Sequence, residues 1–323
     1  MFLILQDVNL NIKTTMETNI TFEKVAEAWK ADKVQFVKRS TYAAYSLIIA
    51  NHLNPYFGST TDITEENVQK FVLTKLDSGL SQKSVKDMLI VLKMILKFGV
   101  KHQHWEYRDI CTRFPTERER QEIEVLSRSN QKLIMKHVRE NFTFMNLGIY
   151  ICLSSGLRIG EVCALTWDDL DTENGLIQVR KTIQRIYMVE GTERHTELII
   201  DTPKSRNSIR NIPMTKELLR MIKPLKKVMN GCFYVLTNSP QPVEPRTYRN
   251  HYKSLIKKLG IPKLKFHGLR HSFATRCIES RCDYKTVSVL LGHSNISTTL
   301  NLYVHPNMEQ KQKCVEQMFR ILK

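Results

Sequence analysis

The sequence predicts a mainly α-helical protein with a small antiparallel β-sheet. Apolar residues recur at helical spacing from residue 22 to residue 96. Short segments between residues 176 and 213 alternate between apolar and polar positions and are rich in β-branched residues. After Met214 the helical spacing returns and continues toward the C-terminus. These three observations favour an all-helical domain followed by an α+β domain.

The composition is that of a globular protein long enough for two domains. The chain has 323 residues, of which 42% are hydrophobic, so it can bury a large core without disulfides. Its seven cysteines contain no C-x-x-C pair, which argues against a zinc site and favours reduced thiols in a cytosolic protein. No apolar run reaches membrane-spanning length, and no signal peptide is recognisable, so we expect no membrane partner.

The charge of the chain indicates a polyanionic partner. The formal net charge is +17, and the isoelectric point is near 9.5. An excess of this size favours nucleic acid ahead of an acidic membrane surface.

The order of elements predicts five segments along the chain. Residues 1–20 are a polar lead-in, and residues 21–108 carry about four amphipathic helices. Residues 109–125 lose the apolar period and carry dense charge, as expected of a linker. Residues 126–305 form the second domain, and residues 306–323 form an amphipathic tail helix. The strands predicted in the second domain are Leu176–Val179, Ile183–Met188, Leu198–Asp201 and Arg210–Pro213.

Two cationic clusters lie in the first half of the second domain. In SGLRIGE, Gly156 can end one helix in the left-handed conformation, and Arg158 then opens the next helix beside free backbone N–H groups. In TPKSRNSIR, residues 202–210 link two predicted strands, which predicts a hairpin tip that carries Lys204. Taken singly, a surface arginine and a solvated turn explain these two clusters better than a functional site does.

Two further clusters follow near the C-terminus. In HGLRH, His267 and Arg270 are three residues apart and share a helix face, whereas His271 is expected to point elsewhere. LGH places His293 after a helix-ending glycine, and Tyr303 lies ten residues later. A lone tyrosine at such a position usually serves packing.

The four clusters together point to phosphoryl transfer without a metal ion. Such a site needs positively charged groups beside the equatorial phosphate oxygens, and a nucleophile in line with the bond that breaks. Arginine supplies that charge, since its planar fork matches phosphate and it stays protonated. No acidic pair suited to magnesium accompanies these clusters, so we expect neither a metal ion nor a cofactor.

The ordered set resembles the tyrosine recombinase (phage integrase) family, whose pattern is Arg…Lys…His-x-x-Arg…His…Tyr. The resemblance covers residues 126–323, and the helical residues 21–108 are similar to the family's core-binding domain with a weaker signature. It implies a helical core-binding domain plus an α+β tyrosine-recombinase catalytic domain. Two small departures are Ser155, where threonine is common, and a ten-residue step from His293 to Tyr303, where nine is also frequent. The matching residues are Arg158, Lys204, His267, Arg270, His293 and Tyr303.

The resemblance implies a role for each matching residue. Tyr303 would attack phosphate and form a 3′-phosphotyrosyl bond, which retains the bond energy without ATP. Arg158, Arg270 and His293 would hold the non-bridging oxygens. His267 is expected to be the base and Lys204 the acid for the leaving 5′-oxygen. Glu161 would support the site by ion pairing.

The resemblance also implies partners and a setting. We expect double-stranded DNA held between the two domains, a homo-tetramer on two DNA sites, and a tail helix swapped between subunits. An accessory DNA-bending protein or directionality factor is compatible with this assembly, in the nucleoid-associated cytoplasm of a prokaryote. We favour an integrase of a mobile element.

Several alternatives remain open at this point. Within the family they are a DNA invertase and a chromosome-dimer resolvase. A type IB topoisomerase-like enzyme shares the catalytic set and relaxes supercoils. A DNA-binding protein without catalysis would lack a reacting group, and a metal-dependent nuclease would need clustered acidic ligands.

Overall fold

The chain forms two compact units, each with its own hydrophobic core. The computed structural model describes residues 20–102, 104–106, 108–116, 123–190, 193–203, 205–303 and 308–321. The first unit comprises the chain up to residue 119 and Ile186–Glu197, and the second comprises Arg120–Arg185 and Leu198–Lys323. The elements are mainly helices with two small antiparallel sheets, which confirms the predicted fold class. No helix in the described part of the chain is long and apolar enough to cross a membrane.

The first unit is built from helices whose apolar faces meet in one core. Thr64 caps α4, because its side chain accepts a hydrogen bond from the N–H of Asn67. Ser81 caps α5 in the same way, through the N–H of Ser84. A π-helical turn over Ile49–Leu53 separates α2 from α3. These helices are α1 (Phe22–Lys33), α2 (Arg39–Ile48), α3 (Asn54–Phe57), α4 (Glu65–Asp77) and α5 (Gln82–Lys101).

The second unit surrounds one buried helix. Its helices are α6 (Arg128–Glu140), α7 (Phe144–Ser155), α8 (Ile159–Cys163), α9 (Lys216–Lys226), α10 (Pro245–Lys258), α11 (His267–Glu279), α12 (Tyr284–Leu291), α13 (Ile296–Tyr303) and α14 (Met308–Ile321). Helix α7 is apolar on nearly all sides, which is typical of a central helix, and it contacts α6, α8 and α11. Because its C-terminus ends beside α11, α7 carries the chain to the predicted site.

Two small sheets lie between α8 and α9 in the sequence, and residues 186–197 of the second sheet belong to the first unit. In the first sheet Ile177 lies opposite Leu170 on one side and Ile212 on the other. All three side chains are buried, so this sheet packs on the core. The strands are β1 (Leu170–Asp171), β2 (Leu176–Val179), β3 (Thr182–Glu190), β4 (Glu193–Asp201) and β5 (Arg210–Pro213), with sheet orders β1-β2-β5 and β3-β4.

The predicted hairpin over residues 202–210 is wrong. Strand β4 pairs with β3, and β5 pairs with β2, so the segment between β4 and β5 connects two separate sheets. It contains a 3-10 turn over Arg206–Ser208 instead of a tight hairpin turn. Alternation of apolar and polar residues sets which face of a strand is buried, but it does not select the partner strand.

Candidate active site

A left-handed glycine brings Arg158 into the site. Gly156 ends α7 with a φ of +67°, and a Cβ there would lie 2.6 Å from the ring of Phe273. Only glycine tolerates both conditions. The turn leads directly to Arg158, which is the N-cap of α8. This confirms the local geometry that the sequence predicts for SGLRIGE.

A second left-handed glycine lets two arginines reach the turn after α12. Gly292 ends α12 with a φ of +65°, and a Cβ there would lie 2.9 Å from the carbonyl oxygen of Asn207. Arg158 Nη2 donates to the Gly292 carbonyl at 3.3 Å. Arg270 Nη2 donates to the Leu291 carbonyl at 2.7 Å. The first, third and fourth sequence clusters therefore meet at one turn.

Arg270 is a buried guanidinium whose hydrogen bonds go to backbone carbonyls. It is 2% exposed, and its Nη1 donates to the Gly156 carbonyl at 2.9 Å. Burial and the charge of Arg158 lower its pKa to about 9. Because neutral carbonyls only partly offset a buried positive charge, this side chain is suited to bind an anion.

Glu161 joins two arginines in a buried ion-pair network. Its carboxylate accepts hydrogen bonds from Arg158 Nη1 at 2.7 Å and from Arg210 at 3.1 and 2.9 Å. Burial alone would raise the pKa of Glu161, but Arg210 and Arg158 together lower it. Arg210 also donates to the Leu290 carbonyl at 2.7 Å. Arg210 was not among the predicted site residues, yet it is a further anchor of the site.

His267 and His293 are held neutral near these arginines. Partial burial, followed by the charges of His271 and Arg270, lowers the pKa of His267 to about 4. Burial, followed by the charges of Arg270 and Arg158, lowers the pKa of His293 to about 4. Since both values lie below 7, both rings are neutral near neutral pH and can accept or donate a hydrogen bond.

Tyr303 faces His271, a histidine that was expected to point elsewhere. Its hydroxyl lies 2.5 Å from His271 Nδ1, and its ring lies 5.6 Å from the imidazole. The expectation that His271 points away is therefore wrong. Positions i and i+4 share a helix face, so the spacing from His267 carried this signal. Burial raises the pKa of Tyr303 to about 12, although Arg270 opposes the shift.

Two remaining expectations concern Lys204 and metal ligands. Lys204 lies outside the described residues, so its position relative to the other site residues stays a prediction. Within the described ranges, no three His, Cys, Asp or Glu side chains are grouped so that they could hold a metal ion. The arrangement offers guanidinium groups, neutral histidines and a phenol at one turn.

Family models match both parts of the chain. Residues 124–310 match the phage integrase family, and residues 21–76 match the N-terminal SAM-like domain of phage integrases. The first match includes every described residue of the site and spans more than half of the chain.

Individual proteins give the same assignment. The chain is 27% identical to a tyrosine recombinase XerC-like protein of Caldanaerobacter subterraneus, over 92% of this chain and 82% of that protein. It is 26% identical to the ICEBs1 integrase of Bacillus subtilis, over 85% of this chain and 76% of that protein. The fold is similar to the Tn1549 transposon integrase in complex with transposon right end DNA, with a TM-score of 0.73, 22% identity and coverage of 92% and 99% of the two chains.

Proposed function

The chain belongs to the phage integrase family, and from that membership we propose that it recombines DNA at specific sites through a covalent bond between Tyr303 and phosphate. The observation that carries the proposal is the meeting of Arg158 and Arg270 at the turn that precedes the helix of Tyr303. The family assignment makes the chain a tyrosine recombinase, a DNA strand transferase.

In the proposed reaction the phenol oxygen of Tyr303 attacks the scissile phosphorus. A phosphorus–oxygen bond forms to Tyr303, and the bond to the 5′-oxygen breaks. Arg158 and Arg270 hold the non-bridging oxygens, His293 donates a further hydrogen bond there, and His267 is the base that takes the phenolic proton. The 5′-oxygen takes a proton from Lys204. Because the phosphodiester energy is kept in the phosphotyrosyl bond, the 5′-hydroxyl of another strand can reverse the step without ATP.

The Tyr303→Phe variant tests the nucleophile. On a nicked duplex substrate, the wild-type chain should become covalently attached to the 3′-phosphate, and the variant should not, while the two bind DNA with similar affinity. The attachment is measured by a shift in a denaturing gel. Covalent attachment of the Phe variant would refute the assignment of Tyr303.

Lys204 is tested as the acid by changing the leaving group. Lys204→Ala should cleave an ordinary substrate slowly but a 5′-thiolate substrate at nearly the wild-type rate, because a thiolate leaves without a proton. A variant that remains equally slow on both substrates would contradict this role.

We propose a tetramer on two DNA sites, with α14 docked on a neighbouring subunit. Among the described side chains of this helix, four apolar ones are exposed in the single chain: Met308, Val315, Met318 and Phe319. A similar fold occurs in a lambda integrase tetramer bound to a Holliday junction, with a TM-score of 0.63, 16% identity and coverage of 89% and 78% of the two chains. Deleting residues 308–323 should spare binding to one site and reduce synapsis of two sites. Unchanged recombination by the deletion variant would refute the docking.

We propose that the substrate is the DNA of a mobile element in a prokaryotic cytoplasm, on the nucleoid. The support is the similarity to the ICEBs1 integrase and to the transposase from transposon Tn916 of Enterococcus faecalis, which is 30% identical over 50% of this chain and 42% of that protein. An accessory DNA-bending protein or directionality factor would act with it. Recombination of plasmids that carry the DNA flanking the gene tests this setting, and supercoil relaxation without strand exchange would favour the topoisomerase alternative.

A further inference from the structure

The HGLRH motif places two histidines, not one, on the active-site side of α11. His267 and His271 are four residues apart, and their rings meet edge to face with centroids 4.6 Å apart. Arg270 lies between them in the sequence and reaches the turn after α12. His271 is therefore part of the same side-chain group as the residues of the family pattern.

The contact between His271 and Tyr303 is a directed hydrogen bond. The Nδ1 atom of His271 and the hydroxyl oxygen of Tyr303 are 2.5 Å apart, which is shorter than the usual N···O distance. Tyr303 also touches the small apolar cluster of Ala274, Val287 and Leu291, which orients its ring. Packing alone would not bring the hydroxyl onto a ring nitrogen.

The protonation of the two groups fixes the direction of this bond. Burial, followed by the charge of Arg270, lowers the pKa of His271, so its ring is neutral near pH 7 and has one bare nitrogen. Burial raises the pKa of Tyr303 to about 12, so the phenol keeps its proton. The phenol therefore donates, Nδ1 accepts, and the other ring nitrogen carries the hydrogen.

The groups that face His271 come from two helices. On α11 itself they are His267 and Arg270, and on α13 the group is Tyr303. Arg158 and Glu161 act on His267. A proton that moved from Tyr303 to His271 would create a second positive charge beside Arg270. A phosphodiester held by the arginines offsets that charge, which ties the transfer to DNA binding.

We propose that His271 is a catalytic residue that takes the phenolic proton of Tyr303 during DNA cleavage and returns it during rejoining. The inference rests on the proposed function and moves the role of base from His267 to His271. As the oxygen–phosphorus bond forms, the O–H electron pair stays on the phenol oxygen, and the proton passes to Nδ1. The bond to the 5′-oxygen breaks, and that oxygen takes its proton from Lys204. The reverse step restores both protons.

Three variants in a single-turnover assay test the proposal, with covalent attachment to a nicked substrate as the readout. His271→Ala removes the ring, and His271→Asn keeps an oxygen that can accept the hydrogen bond but cannot carry the proton away. Both should form the adduct about 10²–10⁴-fold more slowly than wild type, while DNA affinity is unchanged. Imidazole in the buffer should restore part of the rate to His271→Ala. His137→Ala, in a histidine on α6, is the control that imidazole should not affect.

The pH dependence provides a second readout that a packing role would not move. In wild type, the rate of adduct formation should fall as the pH is lowered below 6.5, the ordinary pKa of histidine, because His271 becomes protonated and cannot accept the phenolic proton. In His271→Ala without imidazole, the rate should instead rise steadily with pH toward the pKa of Tyr303, about 12, because the phenol must ionise by itself.

Different outcomes would overturn the role of His271 and the proposed function of the whole site. Wild-type rates in His271→Asn, faster attachment in His271→Ala, or no rescue by imidazole in a variant that still binds DNA would each overturn the role of His271. Covalent attachment of Tyr303→Phe would instead overturn the proposed function itself.

Discussion

Replacing Glu161 by glutamine should destabilise the second unit more than replacing an exposed carboxylate by its amide. The Glu161 side chain is 2% exposed, and that of its partner Arg210 is 5% exposed. The substitution keeps the shape but leaves the guanidinium of Arg210 buried without its counter-charge. Breaking a buried pair in this way lowers the free energy of unfolding by about 3–5 kcal/mol. For a unit of this size, each kcal/mol lowers the melting temperature by about 2–4 °C.

Urea unfolding of Glu161→Gln, beside a matched control, measures this effect. The control is Glu140→Gln, which removes an exposed carboxylate 3.8 Å from Lys136 and should change the free energy of unfolding by less than about 0.5 kcal/mol. The double variant Glu161→Leu with Arg210→Met should lose less free energy of unfolding than the sum of the losses in Glu161→Leu and Arg210→Met. The reason is that neither member of the Glu161–Arg210 pair is then buried without the other. If Glu161→Gln were as stable as the control variant, the reasoning from the buried pair would be refuted.

The sign of the pH dependence follows from the lowered pKa of Glu161. A carboxylate whose pKa falls on folding contributes stability above its unfolded value, near 4.5, and loses it as pH falls through the folded value. The wild type should therefore lose this contribution in acid. The glutamine variant has no such contribution to lose, so the difference between the two proteins should narrow as pH falls.

Three further predictions concern the rest of the molecule. The pKa values of His267 and His293 are lowered to about 4, so the folded state favours the neutral forms of both rings. The free energy of unfolding should therefore decrease as the pH is lowered from 6.5 to 4. Equal free energies from urea titrations at pH 6.5 and pH 4 would contradict this. Gly148→Ala would bring a Cβ within 2.1 Å of Leu236 and 2.4 Å of Tyr248, so it should lower the free energy of unfolding by about 1–3 kcal/mol, measured in urea. Affinity for duplex DNA should fall steeply with salt because of counterion release, and salt-independent binding in a titration series would contradict the phosphate contacts.

Local steric rules explain what the sequence predicts well. The end of α7 at Gly156 and the start of α8 at Arg158 depend only on neighbouring residues, and both were predicted. The cap of α4 at Thr64 likewise depends only on neighbouring residues. The pairing of β5 with β2 was not predictable, because partner choice depends on contacts between strands that are distant in the sequence.

The candidate site shows the same division. The family pattern identifies residue types and their order, whereas two contacts within the site depend on the folded arrangement. His271 carried a helical signal, its spacing of four from His267, which the prediction passed over. Arg210 belonged to the cationic segment TPKSRNSIR, but its burial against Glu161 was not predictable, since arginine is rarely buried and only the fold brings the two side chains together.

The charges of the site explain why DNA binding and chemistry should be coupled. Glu161 is shared by Arg158 and Arg210, while Arg270 is bonded to the carbonyls of Gly156 and Leu291. The group therefore carries more positive than negative charge, and after burial, the larger cause, that excess further lowers the pKa of both His267 and His293. A phosphodiester among these side chains reverses the effect, because a nearby negative charge favours every protonated form. Under the proposed mechanism, the same anion would offset the burial of Arg270 and stabilise the protonated histidine that the proton transfer from Tyr303 creates.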